Sequence, residues 1–314
     1  MRVQLIRGTV VVVMATAMTC SAWAQYDWDL GGGLGGANYL GEFGGVKSED
    51  ARRNFVWDTQ LSQTRWAVTL FARRRITHTI SVNAGLSYYR LQGADYLSSN
   101  PERVGRNLSF RNDMFEFYAR PEFTLYQDND FGGRGRYRTD FRLYAYAGAA
   151  LYYSNPKGQI NHTGEFYDLR DMDTELHDYS SLGFSIPTGV GVYFTFMRRH
   201  RIGWDFGWRT TFSDYIDDAS TVYADPNLLP GGATGLAAQL ADQSQYVIDP
   251  DNTIPDPVQY GPGSPRGNST HNDSYMMMTF SYSYVLRGQS NFYRSQYSWL
   301  RGKKRIGRKS RAKF

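Results

Sequence analysis

Residues 76–89 alternate between apolar and polar or small side chains with a period of two. The even positions carry Ile76, His78, Ile80, Val82, Ala84, Leu86 and Tyr88, and the odd positions carry Thr77, Thr79, Ser81, Asn83, Gly85, Ser87 and Tyr89. Successive side chains of a β-strand point to opposite faces, so the pattern predicts a strand with one apolar and one polar face. Such a strand is also long enough to cross a membrane when it is tilted.

Seven other segments follow the same rule, although glycine makes the alternation of the first one weak. They are Trp28–Tyr39, Trp66–Ala72, Phe115–Leu125, Phe141–Tyr153, Leu182–Phe196, Ile202–Phe212 and Met276–Leu286. A soluble two-layer sandwich would alternate as well, so the connections between strands must decide. Short connections near residues 73–75 and 197–201 alternate with long ones at 42–64, 93–108, 154–181 and 213–273.

Short periplasmic turns and long external loops are typical of outer-membrane barrels. We therefore predict an all-β fold, an eight-stranded antiparallel transmembrane β-barrel of the outer membrane, with both termini in the periplasm. The composition agrees, since aromatic residues make up 16% of the chain, with 24 Tyr and 32 Gly. Aromatic girdles and a crowded lumen account for both residue types.

The first 24 residues are predicted to be a signal peptide. Arg2 and Arg7 precede an apolar stretch at residues 10–18, and Ala22-Trp23-Ala24 forms a small-residue cleavage site. The only cysteine, Cys20, lies inside this segment behind a poor lipoprotein box, so we expect ordinary cleavage and a mature chain without disulfides. The predicted barrel then spans residues 25–287, and a C-terminal tail spans residues 288–314.

Charged side chains fall on the polar face of the predicted strands. An eight-stranded barrel is only wide enough for side chains to fill its interior, so buried charges of both signs must pair with one another. We interpret this set as a structural lumen network and not as a conduction path. Its members are Glu116, Arg120, Glu122, Arg142, Asp205 and Arg209.

No motif in the sequence indicates catalysis, a cofactor or a metal. The five histidines are scattered, and neither a nucleophile elbow nor a phosphate-binding glycine loop is present. Acidic residues cluster at 165–178 and at 214–218, where carboxylates could bind Ca²⁺, but neither cluster matches an EF-hand. Solvated acidic surface is the simpler interpretation, so no cofactor, metal or small-molecule substrate is predicted.

The tail is aromatic and then strongly basic. Of the 35 Lys and Arg residues, eight lie between residues 301 and 314, where there is no acidic residue. An exported chain does not meet nucleic acid, so we expect this tail to dock onto a periplasmic partner. The candidate partner-binding residues are Tyr297, Trp299, Arg301, Lys303, Lys304, Arg305, Arg308 and Lys309.

Several stretches together resemble the PorG family, small outer-membrane barrels of the type IX secretion and gliding-motility apparatus. They are GGGLGGANYLGE (31–42), TRWAVTLFAR (64–73), NLSFRNDMFE (107–116), TFSDYIDDASTVYAD (211–225) and RGNSTHNDSY (266–275). The stretch SDYIDD (213–218) is the most specific of them. The long loop between residues 221 and 274 and the basic tail depart from the family pattern.

The resemblance implies a non-enzymatic protein that associates with a periplasmic ring of PorK- and PorN-type proteins at the outer membrane. The acidic residues of SDYIDD would lie on the external side, where we expect them to order the loops through carboxylate hydrogen bonds. Two alternatives stay open: an OmpA-like surface barrel whose long loops bind ligands or surfaces, and a lipid-modifying enzyme with a Ser or His at the rim.

Overall fold

The computed structural model describes residues 28–41, 43, 61–129, 139–247 and 260–286, and the strands in these residues form one antiparallel sheet. Its strands are β1 (Trp28–Leu40), β2 (Arg65–Arg75), β3 (Ile80–Ala94), β4 (Ser109–Asp128), β5 (Asp140–Ala147), β6 (Ala149–Tyr153), β7 (Pro156–Ile160), β8 (Thr163–Asp168), β9 (Leu182–Phe196), β10 (His200–Thr211) and β11 (Ser274–Leu286). The predicted signal peptide and the tail lie outside the described residues.

The sheet closes into a barrel because β1 pairs with both β2 and β11. The ring continues from β2 through β3 to β4, and returns from β9 through β10 to β11. Between β4 and β9, β5 and β6 follow one another along a single position that is interrupted at Gly148. Eight positions therefore surround the lumen, which confirms the predicted eight-stranded antiparallel barrel.

The residue at this interruption is Gly148, where a side chain would not fit. A Cβ at residue 148 would lie 2.5 Å from the carbonyl oxygen of Ala119 and 2.5 Å from the Cβ of Arg120. The remaining two strands, β7 and β8, form a hairpin beyond the ring, where β7 pairs with the first residues of β4.

The long connections lie at one end of the barrel, here called the loop end, and the short ones lie at the other, the turn end. Three short helices lie in the long connections, at Pro101–Arg106, Leu169–Met172 and Leu236–Ala241. Among the described residues, no helix is long and apolar enough to cross a membrane.

Several strand boundaries differ from those that the alternation indicates, and two of them change the interpretation of the flanking residues. Strand β3 begins at Ile80, because residues 76–79 form the preceding turn, in which the amides of Ile76 and Thr77 donate to the carbonyl of Ile80 at 3.0 Å. Residues 76–79 alternate in residue type but are not part of a strand. His78 therefore lies in the turn and not on the outer face of the barrel. Strand β4 begins six residues before Phe115, since its start pairs with the end of β3.

The outer face of the ring is apolar and exposed, whereas the inner face is polar and buried. The exposed apolar residues include Leu30, Leu34, Leu70, Leu86, Phe117, Leu151, Ile202 and Phe280, from seven of the strands. A contiguous apolar exterior around a charged interior is the reverse of a soluble domain and suits contact with lipid. The fold is therefore that of a transmembrane barrel.

Inward-facing tyrosines lie across inward-facing glycines of neighbouring strands. Tyr118 covers Gly85, and a Cβ at Gly85 would lie 2.7 Å from the Tyr118 hydroxyl. Tyr144 contacts Gly191 in the same way. Glycine leaves space that a ring can fill, so a narrow barrel can hold large side chains, which explains the joint abundance of Tyr and Gly.

Gly35 should tolerate no side chain. A Cβ there would collide with the carbonyl oxygen of Met278 and lie 2.7 Å from the Cα of Thr279 on β11. Gly35→Ala is therefore expected to lower the free energy of unfolding by at least the ~1–3 kcal/mol typical of overpacking. The measurement is the urea midpoint at which the folded, heat-modifiable band disappears on an electrophoresis gel.

Gly32→Ala is the matched control on the same strand. A Cβ at Gly32 would lie 3.3 Å from the Leu70 side chain and from the Thr69 carbonyl, so only a small adjustment is needed. Equal urea midpoints for the two variants would contradict the packing described for β1 and β11.

Candidate functional site: lumen and loop cap

Buried charged side chains fill the lumen from the turn end towards the loop end, and we call this set the lumen network. It comprises Asp29, Arg73, Glu116, Arg120, Glu122, Arg201, Asp205 and Arg209. At the turn end, Asp29 binds two arginines, with 2.6 Å from its Oδ2 to Arg201 Nη1 and 3.3 Å to Arg73 Nη1. Ser283 Oγ donates to the same oxygen at 3.1 Å.

Glu122 lies at the centre of the network. Its Oε2 accepts from Arg73 Nε at 2.6 Å, and its Oε1 accepts from Asn83 Nδ2 at 2.7 Å. Arg120 Nε lies 3.7 Å from the same carboxylate, and Arg120 Nη2 reaches Asp205 at 2.7 Å. Because all of these groups are buried, each charge depends on its partners for compensation.

Two tyrosines complete the hydrogen bonding of Asp205. Asp205 accepts from the hydroxyls of Tyr146 at 2.7 Å and Tyr144 at 3.1 Å. The guanidinium of Arg120 also lies over the Tyr146 ring, 3.7 Å from its centroid. The tyrosines thus stabilise both charges, since they donate hydrogen bonds to the carboxylate and make cation–π contact with the arginine.

The network is looser towards the loop end. Arg209 Nη2 lies 3.6 Å from Glu116 Oε1, and Arg209 Nε and Nη1 have no hydrogen-bond partner among the described residues. Tyr275 donates to Glu116 at 2.7 Å and accepts from Tyr89 at 2.6 Å. The cavity beside Arg209 holds about 10 Å³, room for about one water molecule, so the lumen is filled at this level.

Five of the six lumen residues named from the sequence are joined by these ion pairs. Arg142 is buried too, but the described residues place no carboxylate within salt-bridge distance of it. Asp29, Arg73 and Arg201 also belong to the network, although the alternation does not identify them. Glycines obscured the alternation around Asp29, and the two arginines stood where short turns were expected.

A second buried polar cluster lies where the loops meet the barrel, within a region that we call the loop cap (residues 154–181, 212–247 and 260–273). Tyr39 at the end of β1 donates to Asp217 at 2.5 Å and also contacts Asp273. Asp273 Oδ2 accepts from the amide of Ile216 at 3.0 Å, and Asn112 donates to the Ile216 carbonyl at 2.8 Å. These bonds attach the cap to the barrel wall.

Arg266 holds the interior of the loop cap together. Its Nη1 lies 2.8 Å from Glu175 and its Nη2 lies 3.3 Å from Asp218, and all three side chains are buried. Asp218 also accepts from Thr174 at 2.5 Å and from Tyr179 at 2.7 Å. Burial raises the pKa of Asp218, while the charge of Arg266 and the two hydroxyl donors oppose this rise.

Glu175 links two distant segments of the same cap. Its carboxylate accepts from the amides of Ser220 at 3.1 Å and Thr221 at 3.0 Å, and from the Thr221 hydroxyl at 2.7 Å. Glu175 of the first acidic cluster and Asp217 and Asp218 of the second therefore order the loops. Among the described residues, no group of three or more His, Cys, Asp or Glu could hold a metal ion.

Four of the five stretches that resemble the PorG family meet where the loop cap is bonded to the barrel wall, a place that we call the joint. Tyr39, Asn112, Asp217 and Asp273 come from four of the five stretches, and their side chains converge around Ile216. SDYIDD also meets the start of the last stretch, through Asp218 and Arg266. The residues that carry the resemblance therefore attach the cap to the barrel, and the candidate partner-binding residues of the tail lie outside the described part of the chain.

Comparison with known proteins identifies one matching family model and several solved structures of similar fold. A family model described as "Domain of unknown function (DUF6089)" matches residues 7–227, more than two thirds of the chain. No curated protein matches the sequence.

The similar solved structures include Ail, the attachment invasion locus protein of Yersinia pestis, and Neisserial surface protein A. Ail in complex with the heparin analogue sucrose octasulfate has 9% identity and a TM-score of 0.37, with 84% of this chain and 100% of that chain covered. Neisserial surface protein A has 7% identity and a TM-score of 0.34, with 82% and 97% covered. The barrel assignment itself rests on the closed ring of strands.

Proposed function

The chain belongs to the DUF6089 family, and we propose that it is a non-enzymatic outer-membrane component of the type IX protein secretion system. In this proposal the barrel anchors or scaffolds the periplasmic ring at the outer membrane. The observation that carries it is the convergence of the PorG-like stretches on one buried joint, around Tyr39, Asp217 and Asp273. Four of the five separated stretches that carry the resemblance thus contribute to one structural unit.

The filled lumen favours a function as an anchor and argues against a function as a pore. Arg73, Arg120 and Arg209 cross the interior to carboxylates of other strands, and the cavity beside them holds about one water molecule. Cross-strand ion pairs stiffen a narrow barrel, and stiffness is useful to a protein that holds an assembly in place. A conduit would instead need a continuous polar path.

A tail opposite the loop cap is supported by the ends of the described barrel. Trp28 at the start of β1 pairs with Leu286 at the end of β11, and both residues lie at the turn end. Short turns usually face the periplasm in such barrels. The tail would then reach the periplasmic ring, where its basic residues bind acidic surface of PorK- or PorN-type proteins.

Deletion of residues 288–314 tests this proposal. The truncated barrel is expected to reach the outer membrane but to lose most co-purification of the ring proteins, because it lacks the aromatic and basic contacts. The measurement is a pull-down of the tagged chain from detergent, with the captured proteins identified by mass spectrometry and compared between the two chains. Full retention of the ring proteins would overturn tail docking, and absence of ring proteins from both pull-downs would overturn the proposed function.

Two substitution sets separate the contacts within the tail. Replacement of the eight basic residues between residues 301 and 314 by Gln should weaken capture and reduce the dependence of capture on salt, since surface ion pairs are screened. Replacement of Tyr297 and Trp299 by Ala should weaken capture without changing that salt dependence.

The ordered loop cap favours a second function, a surface barrel whose long external loops bind ligands or other surfaces. The cap is internally bonded, yet it exposes apolar side chains such as Leu228 and Val222. This alternative makes the tail dispensable. Replacement of Leu228 and Val222 by Ser would then reduce adhesion of cells to a surface, while the tail deletion would leave adhesion unchanged.

A further inference from the structure

A cavity opens through the barrel wall at the loop end, and we call it the rim notch. It lies between the first residues of β9 and the segment that follows β10, and it has a volume of about 230 Å³. Leu182, Phe184 and Phe212 line it and are exposed on the apolar outer face of the ring. The notch therefore adjoins the surface that contacts lipid.

The notch exists because the strand pairing stops early. Leu182–Phe184 pair with β6, but the pairing of β9 with β10 ends at Ser185 and Thr211. The rings of Phe184 and Phe212 stack at a centroid distance of 5.7 Å across the gap without backbone pairing of the two residues. An unpaired strand edge next to lipid needs another partner for its polar groups.

Unpartnered hydroxyls are buried beside this edge. Tyr152 lines the notch and is 2% exposed. Thr211 and Ser213 lie close enough to the Tyr152 hydroxyl to interact with it, but no described residue forms a hydrogen bond of normal geometry with this hydroxyl. Ser185, the next inward residue of β9 after Gly183, does not line the notch but has a second buried hydroxyl without a partner among the described residues. Such groups are costly unless something binds them.

The lining defines the chemistry of an occupant. Ser154, Ser180 and Ser213 supply further hydroxyls, and none of the described residues that line the notch is charged. Neutral hydroxyls suit an ester or an alcohol, whereas a phosphate would require arginine or lysine. The volume exceeds that of an engineered apolar cavity of roughly 150 Å³ that takes up benzene, so several carbons of a chain fit.

We propose that the rim notch binds a neutral acylglycerol or a similar acyl ester, with the chain against Leu182, Phe184 and Phe212 and the head group hydrogen-bonded to the Tyr152 hydroxyl. This site is independent of the proposed role in secretion. It gives the barrel a specific lipid contact at its loop end.

Native mass spectrometry of the full chain in detergent tests the site, with 1-monopalmitoylglycerol as the probe. The chain should bind one molecule with saturation. Ser180→Phe, which fills the notch, should abolish binding, whereas Ser181→Phe, at a neighbouring residue outside the lining, should not. Tyr152→Phe should weaken binding by about 2- to 10-fold, the range of one neutral hydrogen bond, and Tyr153→Phe on the outer face should leave it unchanged.

Palmitoyl lysophosphatidate, which has the same chain and a charged head, should bind more weakly than the acylglycerol. Equal binding of the two lipids would overturn the neutral head-group specificity. No saturable binding of monopalmitoylglycerol, or unchanged binding by Ser180→Phe, would overturn the site itself. Heat-modifiable gel mobility verifies that each variant is folded, so that a loss of binding is not a loss of the barrel.

Discussion

Glu122→Ala is expected to lower the free energy of unfolding by about 3–5 kcal/mol, the cost of breaking a buried ion pair by removing one partner. The substitution leaves Arg73 without its 2.6 Å contact and removes the acceptor of Asn83. It also removes the carboxylate 3.7 Å from Arg120. Urea unfolding of the barrel in detergent, followed by gel mobility, measures the change.

Asp113→Ala provides the matched control on the same strand. Asp113 pairs with Arg90 at 2.6 Å and with Arg111 at 2.9 Å, but these side chains are partly exposed. Solvent screens such pairs, so the expected loss is about 1 kcal/mol or less. A loss for Glu122→Ala as small as that for Asp113→Ala would show that the lumen network does not stabilise the barrel.

Arg266→Ala is expected to open the loop cap while the barrel remains folded. The change leaves Glu175 and Asp218 buried without their shared cation, at a cost of about 3–5 kcal/mol. That cost corresponds to amide exchange about two to four orders of magnitude faster for residues 216–221, if exchange occurs through local opening. Hydrogen exchange followed by mass spectrometry measures this, with residues 202–210 of β10 as the internal reference.

A second arginine of the cap is the control. Arg170 lies 3.8 Å from Asp171 and both side chains are partly exposed, so Arg170→Ala should change exchange little. Equal acceleration in the two variants, or none in Arg266→Ala, would contradict the central position of Arg266.

The Arg266→Ala defect should also depend on pH. Burial already raises the pKa of Asp218, and loss of the opposing Arg266 charge raises it further. A raised pKa in the folded state means that the folded cap holds a proton on Asp218 more readily than the unfolded chain does. The defect should therefore shrink as the pH falls through this raised pKa and grow again as the pH rises, after correction for the intrinsic exchange rate.

The sequence by itself determined the eight strand positions of the barrel wall and the faces that they present, but not the hairpin of β7 and β8 beyond the ring. Alternation is a local property, so segments such as Leu182–Phe196 were predicted with the bounds that the structure shows. The lengths of the connections then indicated closure into a barrel. Alternation was misleading at residues 76–79, where Thr77 accepts from the amide of Ile80 at 3.0 Å and forms a turn with a strand-like composition.

Only the tertiary structure decided which side chains meet. The sequence indicated that the charges of the lumen must pair, but not that Asp29 binds both Arg73 and Arg201, which lie 44 and 172 residues away. Nor did it indicate that Arg266 pairs with Asp218, or that the β9–β10 pairing ends early and leaves the rim notch. The physical reason is that side-chain direction follows from the local period of two, whereas contacts across the lumen and the cap depend on barrel closure, strand register and loop packing.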